Sequence, residues 1–374
     1  MMNVPYFAPW ISKNDKNFVM QSLNQRWLTN GPFLHKFEDK FRAFIRCNYA
    51  VGVGSATHAL HLASRSLGIE KGDEVIVPTF TFAATANAVS YCGAEPVLAD
   101  VDPYTFNIQP QEIEQKITRK TKAVIVVHYG GQSCDMSEIM YLAKKHGLHV
   151  IEDCAHALGS TYKNKKCGSI GTVGCFSFYP TKVITTGEGG MVSTNNASFF
   201  RKIKILKSQG MDITPSEREV KATWKYDVVE LGYNYRLDEM RAALGLSQIS
   251  RVNKINDMRI KIAKKYDKLI SKIKGLTIPE TRDDRNHIYH LYTIKVTKDY
   301  HMSRDELFLK LHKMGIGTSV QYYPLHLMSY MKKRYLHKKK QFRVANTLKD
   351  QVLCLPIYPQ MTTKQIEYVA ANLQ

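Results

Sequence analysis

Between residues 49 and 194, short runs rich in β-branched residues alternate with longer amphipathic stretches, and this alternation leaves few folds open. The runs are 49–53 (YAVGV), 74–77 (EVIV), 96–100 (PVLAD), 122–127 (KAVIVV), 148–152 (LHVIE), 174–178 (GCFSF) and 190–194 (GMVST). They are mostly continuous rather than alternating, as expected of strands covered on both faces. Helix candidates at 56–67, 83–92, 110–118 and 135–146 give the spacing of βαβ crossovers. The pattern predicts an α/β protein with a large, mostly parallel sheet. After about residue 210 the texture changes. Residues 237–275 read as long, lysine-rich helix stopped by Gly275 and Pro279. Strand-like YHLYTIKV (289–296) follows, then a helix near 303–314 opened by Ser303, with Glu306 completing a capping box. A chain of 374 residues suits two domains. We expect a large α/β domain over 1–250, including an N-terminal substrate-loop segment, and a smaller α+β domain over 251–374.

Charge and cysteine usage narrow the function. The formal net charge is +20, and residues 251–350 carry +15 of it. The densest part, KKRYLHKKKQFR at 332–343, lacks the interleaved aromatics of a base-stacking platform, and no zinc finger or RNP signature accompanies it. A solvated basic face, or one that attracts a phosphorylated small substrate, fits better than nucleic acid. The longest purely aliphatic stretch, Ala123 to Val127, is far short of the roughly 20 residues a membrane span needs. The start MMNVPYFAPWISKND has no basic and apolar leader pattern. Seven scattered cysteines, never spaced C-x-x-C, argue against a zinc cage and for a reducing, cytoplasmic setting.

Ligands of open α/β sheets bind beyond the carboxyl ends of the strands, and several polar residues stand there. Gly54, Ser55, Ala56 and Thr57 end the first strand and open a helix, where backbone N–H groups can hold an anion or simply receive a cap. Asp153 follows the run LHVIE and reads either as a helix cap or as a buried acceptor that keeps a ring nitrogen protonated. Lys182 lies between GCFSF and a glycine-rich turn; desolvated there, it would have a lowered pKa and serve as a nucleophilic amine. Anion site, strand-end acid and lysine, in that order, make the set that a pyridoxal phosphate enzyme requires.

At this point the motifs become recognisable. GSATHALHLA (54–63), PTFTFAATANAV (78–89), VHYGG (127–131), EDCAHALGSTYKNKKCGSIG (152–171), FSFYPTKVITTGEGGMV (176–192) and LGYNYRLDEMRAALG (231–245) resemble the DegT–StrS family of nucleotide-sugar aminotransferases. The likeness runs from about Pro5, through LTNGPFLHKFEDKF (28–41), to YYPLH (322–326). It implies a fold-type-I pyridoxal phosphate enzyme that moves an amino group from glutamate to a nucleotide-diphosphate keto sugar. Lys182 would carry the cofactor and shuttle the proton, Asp153 would face the pyridine nitrogen, and His156 would lie near the ring hydroxyl. Phe82 would stack on the ring. Ala56, Thr57 and Ser177 would hold the phosphate, with Asn234 reaching it from the second subunit of a homodimer. Thr29, Glu188 and His326 would meet the substrate. The turn TTGEGG looks like members acting on 4-keto-6-deoxy sugars, with 3-keto sugars the alternative. A non-catalytic regulator on the same fold is the other alternative, and the presence of Lys182 and Asp153 argues against it. Ala56, Cys154 and Val183 depart from the commoner Gly, Ala and Asn.

Overall fold

The computed structural model describes residues 2–335 and 341–374. Two helices, α1 (Lys13–Leu23) and α2 (Pro32–Ile45), precede the first strand. Then come β1 (Tyr49–Val53), α3 (Ala56–Ser66), β2 (Glu74–Pro78), α4 (Ala83–Tyr91), β3 (Glu95–Ala99), β4 (Thr121–Val127) and β5 (His149–Asp153). A short hairpin, β6 (Thr161–Tyr162) and β7 (Lys165–Lys166), leads to β8 (Val173–Ser177) and β9 (Gly190–Thr194). Seven of these strands form one sheet in the order β1-β9-β8-β5-β4-β2-β3. β9 runs antiparallel to both its neighbours, and the remaining pairs are parallel.

The continuous apolar runs now have their physical reason. Val75, Val77, Ile125 and Ile151 belong to the core on one face of the sheet, while Ile76, Val124, Val126 and Val150 belong to the core on the other. Successive strand residues point to opposite faces, so a strand buried on both sides must be apolar throughout. A further cluster packs Phe37 and Phe41 of α2 against Phe176 and Phe178. α2 itself is fixed from a distance. The buried carboxylate of Glu239 accepts from the N–H groups of Gly31 (3.0 Å), Phe33 (2.8 Å) and Leu34 (3.1 Å), the free donors at the start of that helix.

Residues 237–275 differ from the single long helix expected. They form two helices, Glu239–Ile249 and Val252–Ile270, separated at Ser250 and Arg251. Arg251 is drawn out of helical register by Asp15 of α1, which takes its Nη1 at 2.8 Å and pairs with Nη2 as well, and by the Trp10 carbonyl at 2.9 Å. The helix expected over 110–118 is shorter, Pro110–Glu114. The helix opened by Ser303 is Arg304–Lys313, with its capping box present.

C-terminal to the break, β10 (Leu276–Thr277), β12 (Tyr292–Val296) and β13 (Val352–Leu355) form a three-stranded sheet, while β11 (Arg285–Asn286) pairs with β6. This part has a core of its own, in which Tyr266, Tyr292, Leu307, Leu355 and Val369 take part. Val4 joins that core and bridges to Ile316, so the N-terminal residues cross to the C-terminal unit. We propose that the two units divide at the break at 250–251. Of the basic run at 332–343, residues 336–340 lie outside the described residues.

Replacing Glu239 with Ala strands the donors at the start of α2. Each buried donor left unpaired costs about 1–3 kcal/mol, so a loss of roughly 3 kcal/mol or more is expected. Urea unfolding should show a lower midpoint with an unchanged slope; a midpoint like that of the parent chain would mean that α2 is held by packing alone.

Candidate active site

The sheet's register collects the polar residues. Val127 at the end of β4 pairs with Asp153 at the end of β5, and Asp153 with Cys175 in β8. Ser177 at the end of β8 and Val53 at the end of β1 both pair with Gly190. Gly190 brings β9 against the start of α3 so closely that a Cβ there would lie 2.6 Å from the Ser55 carbonyl carbon. The edge where the parallel strands end thus also carries the start of α3. Among its first amides, that of His58 is taken by the Ser55 hydroxyl at 3.1 Å. Ala56 and Thr57 stand ahead of it, where helix geometry leaves the N–H groups without intrahelical acceptors.

Two adjacent acids at the end of β5 have opposite fates. Glu152 is fully buried, and its four acceptor positions are filled. Oε1 takes the N–H groups of Ile170 (2.8 Å) and Gly171 (2.6 Å), and Oε2 takes those of Gly168 (2.8 Å) and His128 Nε2 (2.9 Å). His128 Nδ1 accepts from the Cys134 amide, which places the ring proton on Nε2. Glu152, His128 and Cys167 lie close enough to suggest a metal triad, but Glu152 has no lone pair left to give.

Asp153 faces the other way. Oδ1 accepts from the Ala155 N–H (3.1 Å) and Oδ2 from the Thr85 hydroxyl (3.0 Å), itself 3.1 Å from Thr81 Oγ1. Burial pushes its pKa up, opposed by those two donors and by the charge of Lys182. Lys182, half-buried on the loop between β8 and β9, has no ion pair among the described residues. Burial lowers it to about 8, with Asp153 working in the opposite direction. His156 is buried and neutral, pushed well down by burial and then by Lys182. Its Nδ1 accepts from the Gly130 N–H at 3.3 Å, so its Nε2 donates to the Tyr322 hydroxyl at 3.0 Å.

The remaining expected residues lie as follows. Phe82 is 61% exposed at the start of α4, its ring 6.2 Å from that of Tyr322. Ser177 is half-buried. Glu188 is exposed on the turn after Lys182. Thr29 bridges to Asp238 and lines a cleft of about 200 Å³ with Trp27, Ser208, Met211 and Arg236. Asn234 is exposed beside the stacked rings of Tyr233 and Tyr235. His326 is only 1% exposed, with Nδ1 2.7 Å from Thr79 Oγ1 and Nε2 3.1 Å from Asn346 Oδ1. A ring held between those partners braces the segment at Thr79. Sequence reasoning singled out neither Thr85 nor Tyr322, although both lie inside quoted motifs.

The fit to a cofactor rests on this donor set. A buried acid kept half-satisfied suits a cationic ring nitrogen, the open amides of Ala56 and Thr57 suit a phosphate, and an amine lowered to about 8 suits an aldehyde. On a sheet of this order, such a set defines a fold-type-I pyridoxal phosphate enzyme. The sequence profile of the DegT/DnrJ/EryC1/StrS aminotransferase family matches residues 9–374, and the chain belongs to that family of pyridoxal phosphate-dependent sugar aminotransferases. It is similar to the GDP-perosamine synthase of Caulobacter vibrioides, 37% identical over 369 residues covering 98% of this chain and 96% of that one. Helicobacter pylori PseC, an aminotransferase involved in pseudoaminic acid biosynthesis, superposes with a TM-score of 0.92 at 30% identity, covering 100% and 98% of the two chains. Spr1654 from Streptococcus pneumoniae in its PLP form gives 0.92 at 28% identity over 100% and 98%. No helix among the described residues is long and apolar enough to cross a membrane.

The lowered pKa predicts a reactivity. In the cofactor-free protein, acylation of Lys182 followed across pH by mass spectrometry should show a midpoint near 8, below the 10.5 of an ordinary lysine. A midpoint above 10 would show that burial does not depress this amine.

Proposed function

We propose that the enzyme transfers an amino group from glutamate to the keto group of a nucleotide-diphosphate 4-keto-6-deoxyhexose in two half-reactions, one for each substrate. The observation that carries this reading is the pairing of a buried, half-satisfied Asp153 with an unpaired, desolvated Lys182 on the carboxyl edge of the sheet. The relatives' names support a sugar nucleotide as acceptor, and the TTGEGG turn supports the 4-keto class over the 3-keto class.

Pyridoxal phosphate, when bound, supplies an aldehyde that exchanges between amines and a protonated ring that takes up carbanion charge. The chain supplies the rest. Lys182 would hold the aldehyde at rest and, once freed by the donor amine, would move the proton from the donor's α-carbon to the carbon that bore the aldehyde. Asp153 keeps its charge toward the ring nitrogen and so keeps that nitrogen protonated. His156, neutral and braced by Tyr322, would meet the ring hydroxyl, and Phe82 would stack on the ring. The amides of Ala56 and Thr57 and the hydroxyl of Ser177 hold the phosphate. Thr29 and Glu188 line the sugar nucleotide's path. The acceptor's keto carbon receives the amine by the same proton transfers in reverse.

Incubating the protein with glutamate and a panel of nucleotide-linked 4-keto-6-deoxy and 3-keto-6-deoxy sugars, scored by mass, tests the substrate class; product from the 3-keto sugars alone would overturn the 4-keto assignment. Borohydride reduction should fix the cofactor to the peptide holding residues 176–192, and Lys182→Ala should cost at least roughly 10³ in rate, since nucleophile and proton shuttle are lost together. Label recovered on another lysine would sink the assignment.

The enzyme works as a homodimer with shared sites, Asn234 reaching the phosphate of the neighbouring subunit. Support comes from Asn234's exposure and from the apolar side chains of the segment that leads to it, where Val220, Trp224, Val228 and Leu231 are each more than half exposed. In a heterodimer of Lys182→Ala and Asn234→Ala, both defects fall in one composite site and leave the other intact. Activity should recover toward half the parent value. If Asn234→Ala is folded and impaired alone, a verified heterodimer that stays dead would place Asn234 in its own subunit's site.

A further inference from the structure

Two cation-capable side chains stand beside Lys182, and neither is paired with a carboxylate among the described residues. Arg259, in the helix Val252–Ile270, is only 3% exposed, yet it pairs with no carboxylate among the described residues. Its Nη1 donates to the carbonyls of Ile357 (2.9 Å), His290 (3.2 Å) and, at 3.4 Å, Tyr289, while its Nε is buried without a partner. His290 is only 4% exposed, and its Nδ1 is likewise buried and unpartnered. Its ring lies 4.4 Å from that of His156. Both Lys182 and Arg259 are close enough for their charges to disfavour a proton on His290, with burial the larger effect. His290 lines one cleft and Arg259 a second that also holds Lys182; Phe7 and Thr181 are common to both.

The backbone at this point is strained. Tyr289 sits at φ 50°, a left-handed conformation that a bulky side chain rarely adopts, with its N–H on His287 Nδ1 at 2.9 Å. Such outliers persist only where the surroundings over-determine them, and they gather at functional sites. Here the Arg259 clamp on the two consecutive carbonyls of Tyr289 and His290 supplies that constraint, and what it fixes is the direction of the His290 ring. With Nδ1 sealed and without a partner, the ring proton is better placed on Nε2, the nitrogen not sealed in. An excess of positive groups, with Asp153 the acid acting on Lys182, calls for an anionic ligand. The cofactor's phosphate does not answer it, because the amides of Ala56 and Thr57 and the hydroxyl of Ser177 take that group.

We propose that His290, set in place by Arg259, receives the α-carboxylate of the amino donor. The inference rests on the aminotransferase reading above and names the group by which the donor is recognised. His290 donates from Nε2 to the carboxylate, and Arg259 acts as a positioning residue that also lends its charge. The donor's amine then points to Lys182, the one primary amine of the cleft. A keto sugar has no carboxylate, so it passes through the same space without using this contact.

Binding is the test, with activity as a second readout. Calorimetric titration of glutarate, a dicarboxylate with no keto group to react, into the holoenzyme should give a Kd raised by roughly 10- to 100-fold in His290→Phe, the range of a lost charge-assisted hydrogen bond. His290→Gln, which keeps an N–H donor, should recover much of that loss. In stopped-flow measurements, kcat/KM for the donor half-reaction should fall at least tenfold more than that for the keto-sugar half-reaction. A glutarate Kd within threefold of the parent in a cofactor-loaded His290→Phe variant would overturn the proposal. So would equal losses in both half-reactions, or a Gln variant as weak as Phe. If no keto sugar is a substrate, the calorimetric arm still decides the carboxylate site, so failure of the acceptor reading is distinguishable.

Discussion

The four hydrogen bonds on Glu152 hold together the floor on which the site is built. They tie the end of β5 to the turn 168–171 and, through His128, to the segment after β4. A buried carboxylate is tolerable only when so satisfied, and removing any one donor would leave charge exposed to a low-dielectric interior. The next residue along the strand necessarily points to the opposite face. Asp153 is therefore presented to the cleft by a rigid neighbour, with one donor on each oxygen and room for more. Two identical functional groups, one residue apart, become a structural pin and an open acceptor because a strand alternates.

The second constraint comes from the C-terminal unit. Arg259 grips carbonyls at 289, 290 and 357, Tyr322 reaches His156, and Val4 carries the N-terminal residues to Ile316. The cleft around Lys182 is consequently walled by residues near both ends of the chain and by the loop between β8 and β9. Arg251 is clamped by Asp15 at the break between the two helices, where that wall begins. A change in this clamp would reach the site through geometry alone.

How much of this could be read from the sequence depended on the range of the interactions. The sheet strands were legible because burial on both faces leaves an unmistakable apolar run, and Ser303 with Glu306 was legible because a capping box spans three residues. The break at 250–251 was not, since its cause, Asp15, lies more than two hundred residues away. Lys182 and Asp153 stood out by motif, yet their company did not: Thr85, Tyr322, Arg259 and His290 converge only through tertiary packing. The seclusion of His326 was hidden for the same reason, because Thr79 and Asn346 meet it from separate segments. The helices α1 and α2 escaped prediction, and the contact that fixes α2, Glu239, is again remote in sequence.

Burial pushes Asp153 up and Lys182 down, so the two groups that a proton could occupy are brought closer in affinity than they would be in water. A strong salt bridge between them would do the reverse: it would hold the acid well below and the amine well above their usual ranges, and neither would exchange a proton readily. No such bridge forms here: Asp153 takes one neutral donor on each oxygen, the Thr85 hydroxyl and the Ala155 amide. Those two neutral donors keep the acid in place without satisfying its charge. The charge is left for a cation that arrives with a ligand, and the amine is left free enough to act as nucleophile and base near neutral pH. Replacing the Thr85 hydroxyl by a lysine or arginine would stabilise Asp153 more and disable the arrangement, since the acid would then already have its partner.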